Sequence, residues 1–291
     1  MKSVLDTVGN TPMVALKKLN PNPNVTVYAK LEGNNPGGSV KDRPALNMIR
    51  SALERGEINT ETKLIEATSG NTGIAMALMA NLFGLKIELV MPASSTRERV
   101  LTMEAFGAKV ILLESMEACR DYAEEKGATE EYFLLNQFAN PDNYKAHYKT
   151  TGPEIWRDTN GEITHFVSAM GTTGTIMGTS MFLKEKKPSV QIVGCQPTEE
   201  SSIPGIRRWP EAYLPKIFDP TRVDKVMDIS QQEATVMTRR LAKEEGIFAG
   251  MSSGGAASAA IRLAKELNEG IVVFIVCDRG DRYLSSDLFA G

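Results

Sequence analysis

Residues 271–277 read Ile-Val-Val-Phe-Ile-Val-Cys, an unbroken apolar run in which β-branched residues dominate. Such a run is typical of a β-strand that is buried on both of its faces. Strands of this kind occur in parallel sheets that helices cover on both sides. The run therefore predicts an α/β fold with at least one parallel sheet.

The rest of the chain alternates between short β-branched runs and longer stretches with apolar residues at helical spacing. The predicted strands cover residues 25–31, 63–66, 86–91, 109–113, 132–135, 165–169, 190–196 and 271–277. The predicted helices cover residues 40–55, 72–83, 95–106, 116–126, 173–186, 231–244 and 255–267. Alternating strands and helices predict mostly parallel, twisted sheets that are covered by helices.

The length of 291 residues favours two domains, at about 150 residues per domain. The turn Asn140-Pro141-Asp142-Asn143 is the best candidate for the boundary between them. It would divide the chain into two α/β halves with a cleft between them. Ligands of open α/β sheets bind beyond the carboxyl ends of the strands, so site residues are expected in strand-to-helix turns.

The composition excludes several classes of protein. Apolar residues make up 42% of the chain and charged residues 24%, which is unlike a disordered protein. There are 33 basic and 36 acidic residues, and this net charge of −3 argues against nucleic-acid or anionic-membrane partners. Aromatic residues account for only 7%, so platforms for stacking bases are not expected either.

Cysteine and histidine are too sparse for a disulfide framework or a metal centre. The three cysteines are scattered at positions 119, 195 and 277, and there are two histidines. No apolar run reaches 18 residues, so no membrane-spanning helix is expected. The first residues contain no apolar signal core. These features predict a cytoplasmic location and no bound metal.

Three strand-to-helix turns combine glycines with small hydroxyl or amide side chains. They are Ala-Thr-Ser-Gly-Asn-Thr-Gly at 67–73, Met-Gly-Thr-Thr-Gly-Thr at 170–175 and Gly-Met-Ser-Ser-Gly-Gly at 250–255. Glycine lets the backbone approach a ligand closely, and a helix N-terminus attracts an anion. One such turn is equally well explained by simple helix capping. Three of them indicate a ligand with more than one anionic group, such as a phosphate and a carboxylate.

Nucleotide motifs are absent from these turns. None supplies the Gly-Lys-Ser/Thr ending of the phosphate loop of nucleotide-binding proteins. The middle turn reads Gly171-x-x-Gly174-x-x-x-Gly178 instead of G-x-G-x-x-G, and no acidic residue follows at the expected distance. A nicotinamide-dependent dehydrogenase is therefore disfavoured.

Lys41 follows the glycine-containing loop Asn34-Asn35-Pro36-Gly37-Gly38-Ser39-Val40 at a predicted helix start. A positive charge is unfavourable at a helix N-terminus, and burial also disfavours the ammonium form. Lys41 is therefore a candidate for a lowered pKa, which a Schiff-base amine requires. A solvated lysine at a helix start is the ordinary alternative.

Together these segments resemble the fold-type-II pyridoxal-phosphate enzymes. The resemblance lies in Asn-Pro-x-Gly-Ser-Val-Lys-Asp-Arg around Lys41, Thr-Ser-Gly-Asn-Thr-Gly at 68–73 and Gly-Thr-Thr-Gly-Thr at 171–175. Gly-Asn-Thr-Pro at 9–12, Thr-Gly-Pro-Glu-Ile-Trp at 151–156 and Cys-Asp-Arg-Gly-Asp-Arg-Tyr at 277–283 resemble the cysteine synthases, or O-acetylserine sulfhydrylases. Residues 202–210 and the last of these motifs resemble the B type of that family. The match runs essentially from end to end.

The resemblance implies a tryptophan-synthase-β-like architecture with the cofactor in the cleft between two domains. Residues 1–34 and 145–291 would form the larger domain, which binds the cofactor phosphate. Residues 35–144 would form a smaller, mobile domain with the Schiff-base lysine and the loop that binds the substrate carboxylate.

The resemblance also implies roles for individual residues. Lys41 would hold pyridoxal 5'-phosphate as a Schiff base and would then remove and return the α-proton of the substrate. Asn71 would bind the ring oxygen of the cofactor. The residues that would cradle the phosphate are Gly171, Thr172, Thr173, Gly174 and Thr175. The residues that would bind the substrate carboxylate are Thr68, Ser69, Gly70, Asn71, Thr72 and Gln137.

Cys277 would face the pyridine nitrogen of the cofactor, at a position where the A type of the family has serine. A neutral thiol or hydroxyl group there stabilises a protonated ring less than a carboxylate does, which favours elimination over transamination. Ser252 would lie near the cofactor. Arg207 or Arg208 would reach the entrance and favour an anionic second substrate, although two solvated loop arginines fit the sequence equally well.

The reaction implied is β-replacement on O-acetyl-L-serine. Sulfide would give L-cysteine, and thiosulfate would give S-sulfocysteine. The resemblance further implies a homodimer that acts on small molecules, and a complex with serine acetyltransferase is not expected for the B type.

Several alternatives stay open at this point. O-phosphoserine could replace O-acetylserine as the donor. Serine or threonine dehydratase and threonine synthase share the cofactor and much of the fold. Cystathionine β-synthase also shares the cofactor and much of the fold, but it usually carries extra regulatory segments. A catalytically silent binding partner would have no chemical need for Lys41.

Overall fold

A computed structural model describes residues 2–68 and 70–290. Its strands are β1 (Met13–Ala15), β2 (Val25–Leu31), β3 (Lys63–Ala67), β4 (Lys86–Pro92), β5 (Lys109–Leu113), β6 (Tyr132–Leu134), β7 (His165–Ala169), β8 (Gln191–Pro197), β9 (Lys225–Ile229) and β10 (Gly270–Val276). Its α-helices are α1 (Asp42–Glu54), α2 (Asn71–Leu82), α3 (Arg97–Ala105), α4 (Met116–Gly127), α5 (Pro141–Lys149), α6 (Thr151–Asp158), α7 (Gly174–Lys186), α8 (Gln231–Glu245) and α9 (Met251–Glu266).

The described chain divides into two compact units. The smaller unit comprises residues 2–8 and 41–143, and the larger unit comprises residues 9–40 and 144–290. Leu5 and Val8 pack against the core of the smaller unit, which explains why the first residues group with it. The sequence-based division instead assigns residues 1–34 to the larger domain.

The smaller unit is built around a four-stranded sheet. Its strand order is β5-β4-β3-β6, and every neighbouring pair in it is parallel. Leu64, Met76 and Leu89 are fully buried in its core. Because parallel strands end at the same edge, the turn after β3 and the loop after β6 lie side by side.

The larger unit contains a six-stranded sheet in the order β1-β2-β10-β7-β8-β9. Strand β1 pairs antiparallel with β2, and the other neighbours are parallel. Residues 272–275 of β10 are fully buried, as the apolar run predicts. The predicted fold class, two mostly parallel sheets covered by helices, is confirmed.

The sequence does not predict four of these strands and helices, namely β1, β9, α5 and α6. Helix α5 begins at Pro141, inside the predicted boundary turn, because proline is well suited to the first turn of a helix. Helix α9 begins at Met251 rather than at residue 255. Gly254 is inside the helix because α9 packs closely on α8 at this point: a side chain at Gly254 would collide with Thr238.

Candidate functional site

The 171–175 turn connects β7 to α7 at the carboxyl end of the strand. Thr173 is the N-cap residue of α7 and has a left-handed backbone conformation with φ of +70°. The N–H group of Gly174 lies 3.4 Å from Oγ1 of Thr172. N–H groups at the start of a helix, with the positive end of its dipole, favour an anion. All five residues that the sequence predicts for a phosphate site thus lie in one turn.

Thr173 carries the clearest sign of a ligand in this turn. A left-handed conformation is strained for a β-branched residue and costs about 1–3 kcal/mol. The side-chain hydroxyl is buried and has no hydrogen-bond partner within the described part of the chain. A buried hydroxyl normally has a partner. A phosphate oxygen would accept its hydrogen bond, so the turn fits the phosphate group of a cofactor.

Thr175 has a buried partner that the sequence does not reveal. Its Oγ1 lies 3.3 Å from Nε2 of His147, and Nδ1 of that ring lies 2.8 Å from Oγ1 of Thr151. His147 is on α5, which was not predicted, so no pattern in the sequence connects it to the turn. The imidazole therefore links α5 and α6 to the start of α7.

Gly205 brings two of the predicted site segments together. A Cβ atom on Gly171 would lie 2.8 Å from the carbonyl oxygen of Gly205. A Cβ atom on Gly205 itself would lie 3.3 Å from both Cβ and Oγ of Ser252, which is buried in the first turn of α9. Gly205 was not a predicted site residue. The signal that could have revealed it is Pro-Gly within the aperiodic segment 201–223.

Cys277 directly follows β10 and is half-buried. Its backbone N–H group donates to Oγ of Ser253 at 2.9 Å. Its Sγ lies 3.9 Å from the carbonyl oxygen of Ile275. Cys277 and Ser252 are therefore held at adjoining ends of β10 and α9, within the larger unit.

The two arginines of the predicted entrance differ in their surroundings. Nε of Arg208 donates to the carbonyl oxygen of Pro197 at 2.9 Å, and its Nη2 lies 2.7 Å from a carboxylate oxygen of Asp228. The backbone N–H group of Arg207 donates to the carbonyl oxygen of Met170 at 2.9 Å, next to the 171–175 turn. The exposed guanidinium of Arg207 has no partner among the described residues.

In the smaller unit, Lys41 immediately precedes α1. It is half-buried, and its carbonyl oxygen accepts a hydrogen bond from the N–H group of Ala45 at 3.0 Å. Lys41 is thus at the helix start that the sequence predicts, although the regular helix begins at Asp42 rather than at residue 40.

The 68–72 loop follows β3 and includes the first two residues of α2, and Ser69 lies outside the described residues. Oγ1 of Thr68 accepts hydrogen bonds from the N–H groups of Gly70 and Gly73 at 3.3 and 3.0 Å. The hydroxyl of Thr72 donates to Oε1 of Gln137 at 2.8 Å. Nε2 of Gln137 donates to the carbonyl oxygen of Ala67 at 3.2 Å. The structure thus brings Gln137 to the loop, although the two are far apart in sequence.

Glu66 is buried near the end of β3, and the sequence does not predict it as a site residue. Its Oε2 accepts a hydrogen bond from the N–H group of Asn136 at 2.8 Å, and its Oε1 lies 3.4 Å from the N–H group of Gln137. Burial raises the pKa of this carboxyl group to about 8. A charged residue near the end of an apolar strand is the signal that could have revealed it.

No group of three or more histidine, cysteine, aspartate or glutamate residues that could hold a metal ion occurs in residues 2–68 and 70–290. Within the same residues, no helix combines the length and apolarity needed to cross a lipid bilayer.

Comparison with known proteins identifies the family. The family model described as "Pyridoxal-phosphate dependent enzyme" matches residues 4–278. Cysteine synthase B of Pseudomonas aeruginosa is 58% identical over 290 residues, which cover 99% of this chain and 97% of that protein. Cysteine synthase B of Escherichia coli is 56% identical over 292 residues, which cover 99% of this chain and 96% of that protein.

A solved structure of similar fold is O-acetyl serine sulfhydrylase isoform 3 from Entamoeba histolytica. It has a TM-score of 0.94 and 38% identity, and the match covers 100% of this chain and 92% of that one. Pyridoxal phosphate is the cofactor of the family, and the 171–175 turn fits its phosphate group. The chain belongs to the pyridoxal-phosphate dependent enzyme family, and within it to the cysteine synthases.

Proposed function

We propose that this enzyme makes L-cysteine by β-replacement on O-acetyl-L-serine. The bond between the β-carbon and the ester oxygen breaks, acetate leaves, and sulfide forms the new carbon–sulfur bond. The cysteine synthases among its relatives support this choice of substrates. The observation that carries the proposal is the 171–175 turn, in which the buried hydroxyl of Thr173 has no partner among the described residues.

Several residues would hold the cofactor. Lys41 would bind its carbonyl carbon through the side-chain amine. The 171–175 turn would bind its phosphate group, and Asn71 would bind its ring oxygen. Ser252 and Cys277 would lie near the ring. When bound, pyridoxal phosphate withdraws electron density from the α-carbon of the amino acid and thereby acidifies the α-proton.

Lys41 would then act as a general base and acid. Its amine would remove the proton from the α-carbon of the substrate and later return it. The half-burial of Lys41 at the start of α1 supports this role, because both features favour the neutral amine.

The 68–72 loop and Gln137 would bind the carboxylate of the substrate. The start of α2 offers N–H groups for this anion, and the loop is braced by Thr68 and by the contact between Thr72 and Gln137. Enclosing the substrate would also exclude water from a reaction in which hydrolysis would compete.

Arg207 is the better candidate for contacting an anionic second substrate. Its guanidinium is exposed and has no partner in the described structure, whereas Arg208 pairs with Asp228. We propose that thiosulfate also reacts, with acetate leaving and S-sulfocysteine forming. The enzyme would act on these small molecules as a homodimer without serine acetyltransferase, in the cytoplasm, where its three free cysteines stay reduced.

Absorbance spectroscopy of the enzyme loaded with pyridoxal phosphate tests the proposal. A visible band that shifts when O-acetyl-L-serine is added, and returns when sulfide or thiosulfate follows, is the expected result. Lys41→Ala should lose the Schiff-base band and the activity, while Lys86→Ala, which replaces an exposed lysine in the smaller unit, should keep both. A band that ignores O-acetyl-L-serine but responds to O-phosphoserine, serine or threonine would overturn the assigned donor.

A further inference from the structure

We propose that Glu66 is a positioning residue for the 68–72 loop, and that it acts through the backbone of residues 136 and 137. The inference rests on the proposed function, in which this loop and Gln137 bind the substrate carboxylate. Glu66 itself would touch neither substrate nor cofactor.

The hydrogen bonds form a continuous path from Glu66 to the loop. The carboxyl group accepts from the N–H group of Asn136 at 2.8 Å and lies 3.4 Å from that of Gln137. The amide of Gln137 then contacts Thr72 at 2.8 Å and the carbonyl oxygen of Ala67 at 3.2 Å. One buried carboxyl group therefore fixes the backbone from which Gln137 reaches the loop.

The backbone at Asn136 is in a left-handed conformation with φ of +53°, which asparagine adopts more readily than most residues other than glycine. The short hydrogen bond from its N–H group to Glu66 holds this conformation. A different conformation at Asn136 would redirect the side chain of Gln137, which is the next residue.

Burying a carboxyl group lowers stability, so its presence calls for a compensating role. An apolar residue at position 66 would pack in β3 without this penalty, but it would offer no acceptor to the two N–H groups. The buried carboxyl group of Glu66, which lowers stability, thus lies near the end of β3, just before the 68–72 loop.

A small cavity next to Glu66 provides a matched control. It has a volume of about 20 Å³, and Arg120, Glu124 and Asn136 are among its lining residues. A cavity of this size has room for one water molecule. Glu124 lines the same cavity from α4 but is exposed, so Glu124→Gln removes a nearby negative charge without changing the contacts to residues 136 and 137.

The experiment compares the holoenzyme of the wild type, Glu66→Gln and Glu124→Gln at pH 8.5. Glutamine at position 66 retains one acceptor oxygen but turns an NH₂ group toward an N–H donor. We expect the KM for O-acetyl-L-serine, and the midpoint of its spectral titration without sulfide, to rise about tenfold in Glu66→Gln. The kcat, the KM for sulfide and the cofactor spectrum before substrate should stay within about twofold, since uniform binding affects KM alone.

The inference would be overturned if the KM of Glu66→Gln for O-acetyl-L-serine stayed within twofold of the wild-type value. It would also be overturned if Glu124→Gln raised this KM as much as Glu66→Gln does. Glu66→Asp is the second variant: it keeps the charge but withdraws the carboxyl group by one methylene, and its KM should rise as well. A wild-type holoenzyme without any spectral response to O-acetyl-L-serine would overturn the proposed function, and this inference with it. A normal wild-type response with unchanged Glu66 variants overturns the inference alone.

Discussion

A Cβ atom on Gly171 would lie 2.8 Å from the carbonyl oxygen of Gly205. The approach is to backbone rather than to a flexible side chain, so the neighbouring chain cannot easily give way. Gly205 is in turn close to Ser252, which places residues from three separate segments next to one another. The shape of the 171–175 turn therefore depends on the segment around Gly205.

Gly171→Ala should weaken the binding of pyridoxal phosphate by about tenfold or more, because the added methyl group must displace the 171–175 turn or residue 205. Dialysis followed by absorbance measurement would report the affinity. Gly255→Ala is the control, since its methyl group would meet the end of the flexible Ile206 side chain at 2.9 Å. Equal cofactor affinity in Gly171→Ala and the wild type would contradict the prediction.

Thr173→Val and Thr179→Val form a matched pair, because both hydroxyls are buried and have no partner among the described residues. Thr173→Val should lower the affinity for pyridoxal phosphate about tenfold by removing a donor to the phosphate group. Thr179→Val, within α7, should leave that affinity unchanged and raise the free energy of unfolding by about 1 kcal/mol. Cofactor titration and urea denaturation measure the two effects, and an equal loss of affinity in both variants would refute the phosphate contact.

Arg207→Ala should raise the KM for thiosulfate several-fold more than the KM for sulfide, since a dianion gains more from an exposed guanidinium than a small nucleophile does. Arg208→Ala should have the smaller effect on thiosulfate, because Arg208 already pairs with Asp228. Steady-state kinetics with each sulfur donor at saturating O-acetyl-L-serine would separate the two arginines. Unchanged kinetics in both variants would show that they are only surface residues.

Glu66 should make stability depend on pH. Its pKa is raised to about 8 in the folded chain, whereas an unfolded glutamate titrates near pH 4.3. The folded state therefore binds the proton more tightly between these values, and this contribution to stability is lost as the pH rises from about 5 to 8. Arg120 and Glu124 of α4 are the charged side chains that line the cavity beside it.

Urea denaturation of wild type and Glu66→Gln at several pH values would measure this effect. The variant should gain stability relative to the wild type as the pH rises, by at most about 1.4 kcal/mol per pH unit. A difference in unfolding free energy that stays constant from pH 5 to pH 9 would contradict a raised pKa for Glu66.

The alternating pattern of the sequence predicts the fold class well because buried parallel strands leave a strong signal. Residues 271–277 are recognisable without any neighbour, and β10 indeed has fully buried residues at its centre. Strand β9 has exposed residues at three of its five positions, so its sequence lacks such a run. The sequence predicts a shorter α9 because glycines 254 and 255 signal a turn locally, whereas the close packing of Gly254 against α8 is a tertiary property.

Site prediction from the sequence depended on turns and on the family resemblance. Those signals selected Thr173, which is in the turn before α7, and Gln137, which contacts Thr72. They did not select Glu66, His147 or Gly205, which support the turns from other elements. Contacts of this kind depend on which strands and helices become neighbours, and a single sequence contains no local pattern for that.

The position of β10 in the larger sheet has a consequence for biosynthesis. Strand β10 lies between β2 and β7, although it follows all the other described strands along the chain. The sheet of the smaller unit is complete in the nascent chain once β6 has emerged. At about 5–20 residues added per second, β10 follows on the order of ten seconds later. Until β10 emerges, β2 and β7 each have one edge without its native partner, which leaves the partly synthesised larger unit open to pairing with other chains.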